Sequence, residues 1–442
     1  MNLSHTSNSE LIARSLSAVW HPCSQMKHYE QFPLLPIARG KGVWLYDYDG
    51  KRYLDAVSSW WVNLFGHNNA RINAALIEQL NTLEHVMLAG FTHEPVVQLS
   101  ERLRDLAPKG LGHSSYGSDG ASAIEIALKM SAHFWRNQNQ PSKTQFISLK
   151  NSYHGETLGA LSVTDVAIFR DAYGALIRQQ ATVVSPDSRD AAEGETAEQF
   201  ALRCADALEL HLQQNHHQLA ALIVEPLVQG AAGMSMYHPV YLSRARALCT
   251  QYGVHLIADE IAVGMGRTGS LFACEQASIT PDFLCLSKGI TGGYLPLSVV
   301  MTTDKIYAAF YADDTARGFL HSHSYTGNPL ACRAALATLD IFAQDDVIAK
   351  NRATTAYLQQ AAVALRAHAA VKNWRNTGMI WAFEVVSPHQ DFAQRCHRLA
   401  LDNELLLRPI GNTIYFMPPY VISESEIDFL IAKTLYLVQQ LS

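Results

Sequence analysis

Between residues 113 and 330, short runs that are apolar at every position alternate with helical stretches. The runs are "QFISLK" at 145, "LAALIVEP" at 219, "VHLIADE" at 254, "DFLCLSK" at 282 and "LSVVMTT" at 297, and "VYLSRARALCTQYG" from 240 has helical spacing. A strand without a polar side must be covered on both faces, and helices between the strands supply that cover. The expected class is α/β, with a mostly parallel central sheet covered by helices. In such sheets ligands sit at the carboxyl ends of the strands.

The chain has 442 residues, 48% of them hydrophobic and 17% charged, enough for a large core and long for one domain. One large domain with a smaller companion is expected. Asp49-Gly50 marks a hairpin turn, and helical patterns cover about 70 to 83 and 94 to 107, the second halted by Pro108. A long helix starts near Asn328. After it the chain reads as a smaller α+β unit with strands near "GMIWAFEVV" and "TIYFMPPY".

A net charge of -6 gives no general attraction to nucleic acid or an anionic membrane, so a small-molecule partner is expected. The seven cysteines (Cys23, Cys204, Cys249, Cys274, Cys285, Cys332, Cys396) are scattered, odd in number and without CxxC spacing. They read as core thiols of a reducing compartment, not as a disulfide framework or zinc site. No stretch looks like a signal peptide or a bilayer span, which makes a soluble, cytoplasmic protein the expectation.

Three strand ends are considered together: Glu225, the pair Asp259-Glu260, and Lys288. Strand ends often carry charges simply because they reach water. In a parallel sheet, however, these ends share one crevice, where an amine would meet carboxylates out of water. Desolvation disfavours the ammonium form, and a neutral amine is what Schiff-base chemistry needs. Upstream, "HSSYGSDGASAIEIALKMSAHFW" runs from a glycine-bearing loop into a long helix, whose first N–H groups at Gly120 and Ala121 suit a phosphate. Ser118 or Asp119 could equally be a plain N-cap there.

A phosphate cradle, a carboxylate and a strand-end lysine are together the parts needed to hold pyridoxal phosphate. Tyr153 in "NSYHGETLGA" is the candidate to stack on its ring. Two rival motifs are weaker. "GMGRTG" at 264 fits G-x-G-x-x-G, yet it follows a strand that has already ended and is not a clean helix start. His321 with His323, and His216-His217, lack the further partners a metal site requires.

The stretch "LIADEIAVGMGRTGSLFACEQASITPDFLCLSKGITGG" closely resembles the core of the class III pyridoxal-phosphate aminotransferases, and "HSYTGNPLACRAA" resembles the family's dimer-crossing phosphate loop. The likeness runs from about residue 18 to the C-terminus. It implies a fold-type I transferase, with a large cofactor domain over 66 to 330 and a smaller α+β domain built from 1 to 65 and 331 to 442.

By position, Lys288 would bond the cofactor, Asp259 would pair with the pyridinium nitrogen, and Gly120 and Ala121 would hold the phosphate. Tyr153 would stack on the ring and touch substrate. His323 and Ser324 would reach the phosphate in a neighbouring subunit, implying a homodimer with shared sites. Trp60, Ser322, Arg408 and Tyr415 fall at substrate-contacting positions, and Arg267 matches a charged residue beneath the site. "VWHPCSQM", "SSWWVNLFGH", "EPLVQGAAGMSMYHP" and "LLRPIGNTIYFMPPY" resemble the branch that takes its amino group from S-adenosylmethionine and gives it to 8-amino-7-oxononanoate in biotin synthesis. The alternative is a member using lysine or an ω-amino acid as donor. The chain departs from the family pattern at Cys23, where many members have tyrosine, at Ala121, which lacks a hydroxyl, and at Glu156 and Ser324, which keep the functional group.

Overall fold

The computed structural model describes residues 6 to 442. It divides into two compact units: one formed by residues up to 70 with 353–374 and 381–442, the other by 71–352 with 375–380.

The larger unit is built on seven strands: β1 (His113–Gly117), β2 (Gln145–Leu149), β3 (Ala181–Val183), β4 (Leu219–Val224), β5 (His255–Asp259), β6 (Phe283–Leu286) and β7 (Ser298–Thr302). Their order across the sheet is β1-β7-β6-β5-β4-β2-β3. All pairs are parallel except those of β7, which runs antiparallel to β6 and to β1. The expected mostly parallel sheet is therefore present, with "LSVVMTT" as its one reversed strand. β7 follows β6 after a short turn segment and needs no crossover helix, which is the condition for antiparallel pairing.

Every residue of β4, β5, β6 and β7 is buried. The helix Gly120–Asn137 supplies much of the cover on one face: Ala123, Ile124, Ala127 and Phe134 pack with Phe146, Ile223, Ile257, Phe283 and Val300 of the strands. The register sets Ile257 beside Ile223 on one side and Phe283 on the other, so strand ends β4, β5 and β6 finish together.

The smaller unit contains the expected hairpin, Trp44–Asp47 with Arg52–Asp55, flanked by Ile37–Lys41 and, from the distant C-terminal part, by Leu405–Leu406 running parallel to Arg52–Asp55. In a second sheet Ile380–Val385 pairs antiparallel with Thr413–Phe416. The C-terminal helix Glu424–Leu441 starts in a Ser423/Glu426 capping box, and Glu426 also accepts a hydrogen bond from Trp44 Nε1 at 2.7 Å.

Six cysteines are buried, as core thiols should be, but Cys23 is exposed, so the reading of all seven as core residues is corrected there. Among the described residues no helix is long and apolar enough to cross a membrane.

Gly378 holds a turn that no side chain would fit: φ is +57°, and a Cβ would lie 2.3 Å from Thr268 C and 2.4 Å from Gly269 N. Both atoms are backbone and cannot swing aside. The Gly378→Ala variant should lose about 3 kcal/mol of stability from left-handed strain plus overpacking. Urea denaturation checks this; an unchanged midpoint would show that the turn at 267–269 yields freely.

Candidate active site

The parallel sheet carries three charged groups to one edge. Asp259 is the last residue of β5, Glu225 directly follows β4, and Lys288 lies two residues beyond the end of β6. Lys288 has φ of +45°, in the left-handed region a lysine seldom enters. Burial pulls its ammonium below the ordinary lysine value, and the charges of Asp259 and then Glu225 oppose that shift. The amine is thus poised between two effects of opposite sign. Burial also raises Glu225 to about 7, with the neighbouring Asp259 adding to it. Glu225 Oε1 accepts from Tyr153 N at 3.0 Å and Oε2 from Gly230 N at 3.0 Å, which fixes the loop bearing Tyr153 to the end of β4.

Asp259 is buried and ordered from two sides. His154 Nδ1 donates to Oδ2 at 2.7 Å, and Ile261 N donates to Oδ1 at 3.1 Å. His154 sits next to Tyr153 in "NSYHGETLGA" and was not foreseen as a site residue; its adjacency to the predicted ring-stacking tyrosine was the available signal. The other half of the Asp259-Glu260 pair has a different task. Glu260 accepts from Ala273 N at 2.7 Å and Cys274 N at 2.8 Å, pinning the far end of the turn that contains "GMGRTG". That motif opens no α-helix: the next helical segment is the short 3-10 turn Ala273–Ala277. Arg267 within it is fully buried.

At the other end of the site, Asp119 caps the helix Gly120–Asn137, accepting from Ser122 N at 2.9 Å. The plain N-cap is therefore real, and it does not use up the first N–H groups of the helix. Capping uses the N–H of Ser122 and leaves those of Gly120 and Ala121 without an intrahelical acceptor. Close packing holds this turn in place. A Cβ on Gly120 would come 2.9 Å from Ile261 Cγ2, and one on Gly155 would come 2.6 Å from Ala121 Cβ. Ser118 Oγ lies 3.0 Å from His323 Nδ1, tying the segment around 323 to the loop before the helix. Ser322 and Ser324 on either side are exposed. Tyr153 donates from its hydroxyl to Glu156 Oε1 at 2.8 Å and meets Phe169 edge to face.

The smaller unit carries the remaining predicted residues. Tyr415 is buried and accepts from Trp61 Nε1 at 3.2 Å. Burial raises its phenol to about 12. Trp60, its neighbour in sequence, is instead 46% exposed, and the guanidinium of the exposed Arg408 lies 5.2 Å from its ring centre. Ser58, Ser59, Trp60 and Trp61 have φ of 51°, 48°, 74° and 73°, a full turn of left-handed backbone without a glycine. Such residues cost about 1–2 kcal/mol each, so the surroundings must impose the turn. Among the described residues no cluster of three or more His, Cys, Asp or Glu side chains could hold a metal.

Residues 25–435 match the family model of class-III aminotransferases. The chain belongs to this family of pyridoxal-phosphate-dependent transaminases. It is 46% identical over 439 residues, 98% of each chain, to the adenosylmethionine-8-amino-7-oxononanoate aminotransferase of Helicobacter pylori. The crystal structure of the enzyme of that name from Methanocaldococcus jannaschii superimposes with a TM-score of 0.92 at 34% identity, covering 98% of this chain and 99% of that one. An (S)-enantioselective omega-transaminase from Thermomicrobium roseum gives the same TM-score at 31% identity, with 98% of both chains covered.

The larger unit fits the family's cofactor. The Asp259 carboxylate offers about four acceptor positions, of which His154 and Ile261 take one each, which leaves capacity for a pyridinium N–H. The two spare N–H groups at Gly120 and Ala121 suit a phosphate, and Lys288 suits an aldehyde.

The charges also predict a pH response. Glu225 binds its proton more tightly folded (about 7) than at the ordinary value of 4.5, so the native state holds a proton that the unfolded chain has lost between those values. The contribution of Glu225 to stability should fall as pH rises from about 4.5 to about 7, and the loss should be absent in Glu225→Gln. Urea melts of the cofactor-free protein at pH 5 and pH 7.5 measure the difference. The same substitution removes a charge that favours the Lys288 ammonium. The pH midpoint for labelling Lys288 with an amine-reactive reagent, followed by mass spectrometry, should therefore move lower; a midpoint that moves up would contradict the electrostatic account.

Proposed function

We propose that the protein transfers the amino group of S-adenosylmethionine to 8-amino-7-oxononanoate, forming 7,8-diaminononanoate for biotin synthesis, in two half-reactions that share Lys288. The observation that carries this reading is the match at 46% identity to an enzyme named for these two substrates, which spans 98% of both chains. Bound pyridoxal phosphate would supply the carbonyl that carries nitrogen from donor to acceptor and a ring that spreads the charge left on carbon.

The chain's own groups have separable tasks. Lys288 Nζ, whose ammonium form burial disfavours, would take the proton from the donor α-carbon and return one on the acceptor side. Asp259, oriented by His154, would hold the proton on the ring nitrogen. The Gly120 and Ala121 N–H groups would bind the cofactor's phosphate, and Tyr153 would cover its ring. Arg408 is suited to a substrate carboxylate, since a guanidinium fork matches that group in charge and shape. The exposed indole of Trp60 suits a purine or a sulfonium, both of which S-adenosylmethionine carries. Ser322 and Tyr415 complete the substrate contacts.

A homodimer with shared sites belongs to this reading, with His323 and Ser324 serving the partner's phosphate. It is supported by exposed apolar side chains in adjoining segments: Met87 and Phe91, and Leu320 and Tyr325, with His85 against Tyr325 at 4.8 Å. A patch of that kind suits a second copy of the chain. The reading also includes a cytoplasmic location and, given the net charge of -6, no nucleic-acid partner. The structural likeness to an omega-transaminase supports a second reading, in which lysine or an ω-amino acid is the donor.

Titrating the pyridoxal-phosphate-loaded protein with S-adenosylmethionine, without acceptor, decides between them. The visible band of lysine-bound cofactor should disappear. A band that persists with S-adenosylmethionine but disappears with lysine would transfer the assignment to the second reading. Lys288→Ala should lose at least about a thousandfold in turnover. Arg408→Ala should raise KM by about 10- to 100-fold while leaving the cofactor spectrum unchanged, the effect expected for one charge-assisted hydrogen bond.

A further inference from the structure

A buried carboxylate lies at the entry of the left-handed turn at 58–61 and binds it at Ser59. Asp55, at the end of the strand Arg52–Asp55, is fully buried. Its Oδ1 accepts from Val57 N at 3.3 Å and Ser59 N at 3.0 Å. Its Oδ2 accepts from Ser59 Oγ at 2.7 Å and from His67 Nε2 at 2.9 Å. An ionised carboxylate only accepts, so the proton in the last bond belongs to the imidazole.

His67 is itself rigidly placed. Its backbone exchanges both hydrogen bonds with Gly42, at 3.0 and 2.7 Å, and its ring lies against Gly40, where a Cβ would come 2.5 Å from His67 Cβ. Asn63 Nδ2 lies 3.2 Å from the other ring nitrogen. Beyond the turn, Ser58 Oγ donates to Met417 O at 2.7 Å, and Trp61 is held by Tyr415. Ser58, Ser59 and Trp61 are thus tethered by hydrogen bonds from their side chains, while the Trp60 side chain is delivered to the surface beside Arg408.

We infer that Asp55 and His67 are a positioning pair for substrate recognition: through Ser59 they impose the left-handed turn that presents the Trp60 indole. The residue they position is a specificity element for the aromatic or cationic part of the amino donor. This inference rests on the proposed function for the role of Trp60. A right-handed turn over the same residues would rotate the 60 and 61 side chains away from these directions. Trp61 could then not keep its bond to Tyr415 while Trp60 remained beside Arg408.

The test uses the cofactor-loaded enzyme labelled with 5-fluorotryptophan, with the Trp60 resonance assigned through Trp60→Phe. Ser59→Ala and His67→Ala should shift or broaden the Trp60 signal and raise KM for S-adenosylmethionine about tenfold. In both variants kcat should stay within about twofold and the visible cofactor spectrum should be unchanged. His67→Gln, which restores a donor toward Asp55, should return both readouts toward wild type, a rescue that general loosening of the fold would not give. An unmoved Trp60 signal in both alanine variants overturns the positioning pair. A shifted signal with unchanged KM, and unchanged KM in Trp60→Phe as well, overturns instead the placement of Trp60 against the donor. If the donor assignment itself is wrong, S-adenosylmethionine leaves the cofactor band of the wild type intact, a result separate from either outcome above.

Discussion

An amine buried beside carboxylates is unstable in two directions. Removed from water it prefers to be neutral, while nearby negative charge draws it back toward the ammonium form. Lys288 sits between these pressures, and much of the larger unit serves to keep it there. The parallel run of β4, β5 and β6 brings Glu225, Asp259 and Lys288 to one edge. The helix Gly120–Asn137, packed through Ala123, Ile124 and Ala127, brings the N–H groups of its first turn to the same unit. If β6 ran antiparallel to β5, as β7 runs to β6, Lys288 would lie at the opposite edge from Asp259.

The same small device occurs once in each unit. Asp259 and Asp55 both end a strand, both are buried, and both accept from the backbone N–H two residues on, Ile261 in one case and Val57 in the other. Each is then completed by a histidine, His154 or His67. A strand-end aspartate that accepts from the chain ahead of it and from an imidazole is held in one orientation. In the larger unit the remaining acceptor capacity is what the proposed pyridinium contact would use. In the smaller unit it is spent on Ser59, and the return is a strained turn that presents an indole.

Much of the larger unit was legible because its signals are local. Five apolar runs marked five of the seven strands, and charged residues at three strand ends marked the crevice. β1 and β3 were not legible. "HSSYG" has one buried-type aromatic among polar residues, and "ATV" is only three residues long; pairing with β7 and β2 makes each a strand. His154 carried no assigned role and Glu225 only a place in the crevice, since nothing in one dimension shows that one meets Asp259 and the other holds the Tyr153 loop. In "SSWW" the two residue types give no hint of left-handed backbone, because both would ordinarily avoid it.

From the sequence alone came what depends on periodicity, chain order and motif: an α/β chain with a mostly parallel sheet, a lysine after one strand and an aspartate ending another, and the likeness to class III aminotransferases. Those properties are carried by residues close in sequence, whose side chains alternate or recur whatever the rest of the chain does. Only the tertiary structure decided what depends on residues far apart. It set the hydrogen bond between His154 and Asp259 across 105 positions, the use of Glu260 to pin a turn, and the exposure of Cys23. It also set the conformation of residues 58–61, which local preference opposes and which exists because Asp55, His67, Met417 and Tyr415 together outweigh that preference.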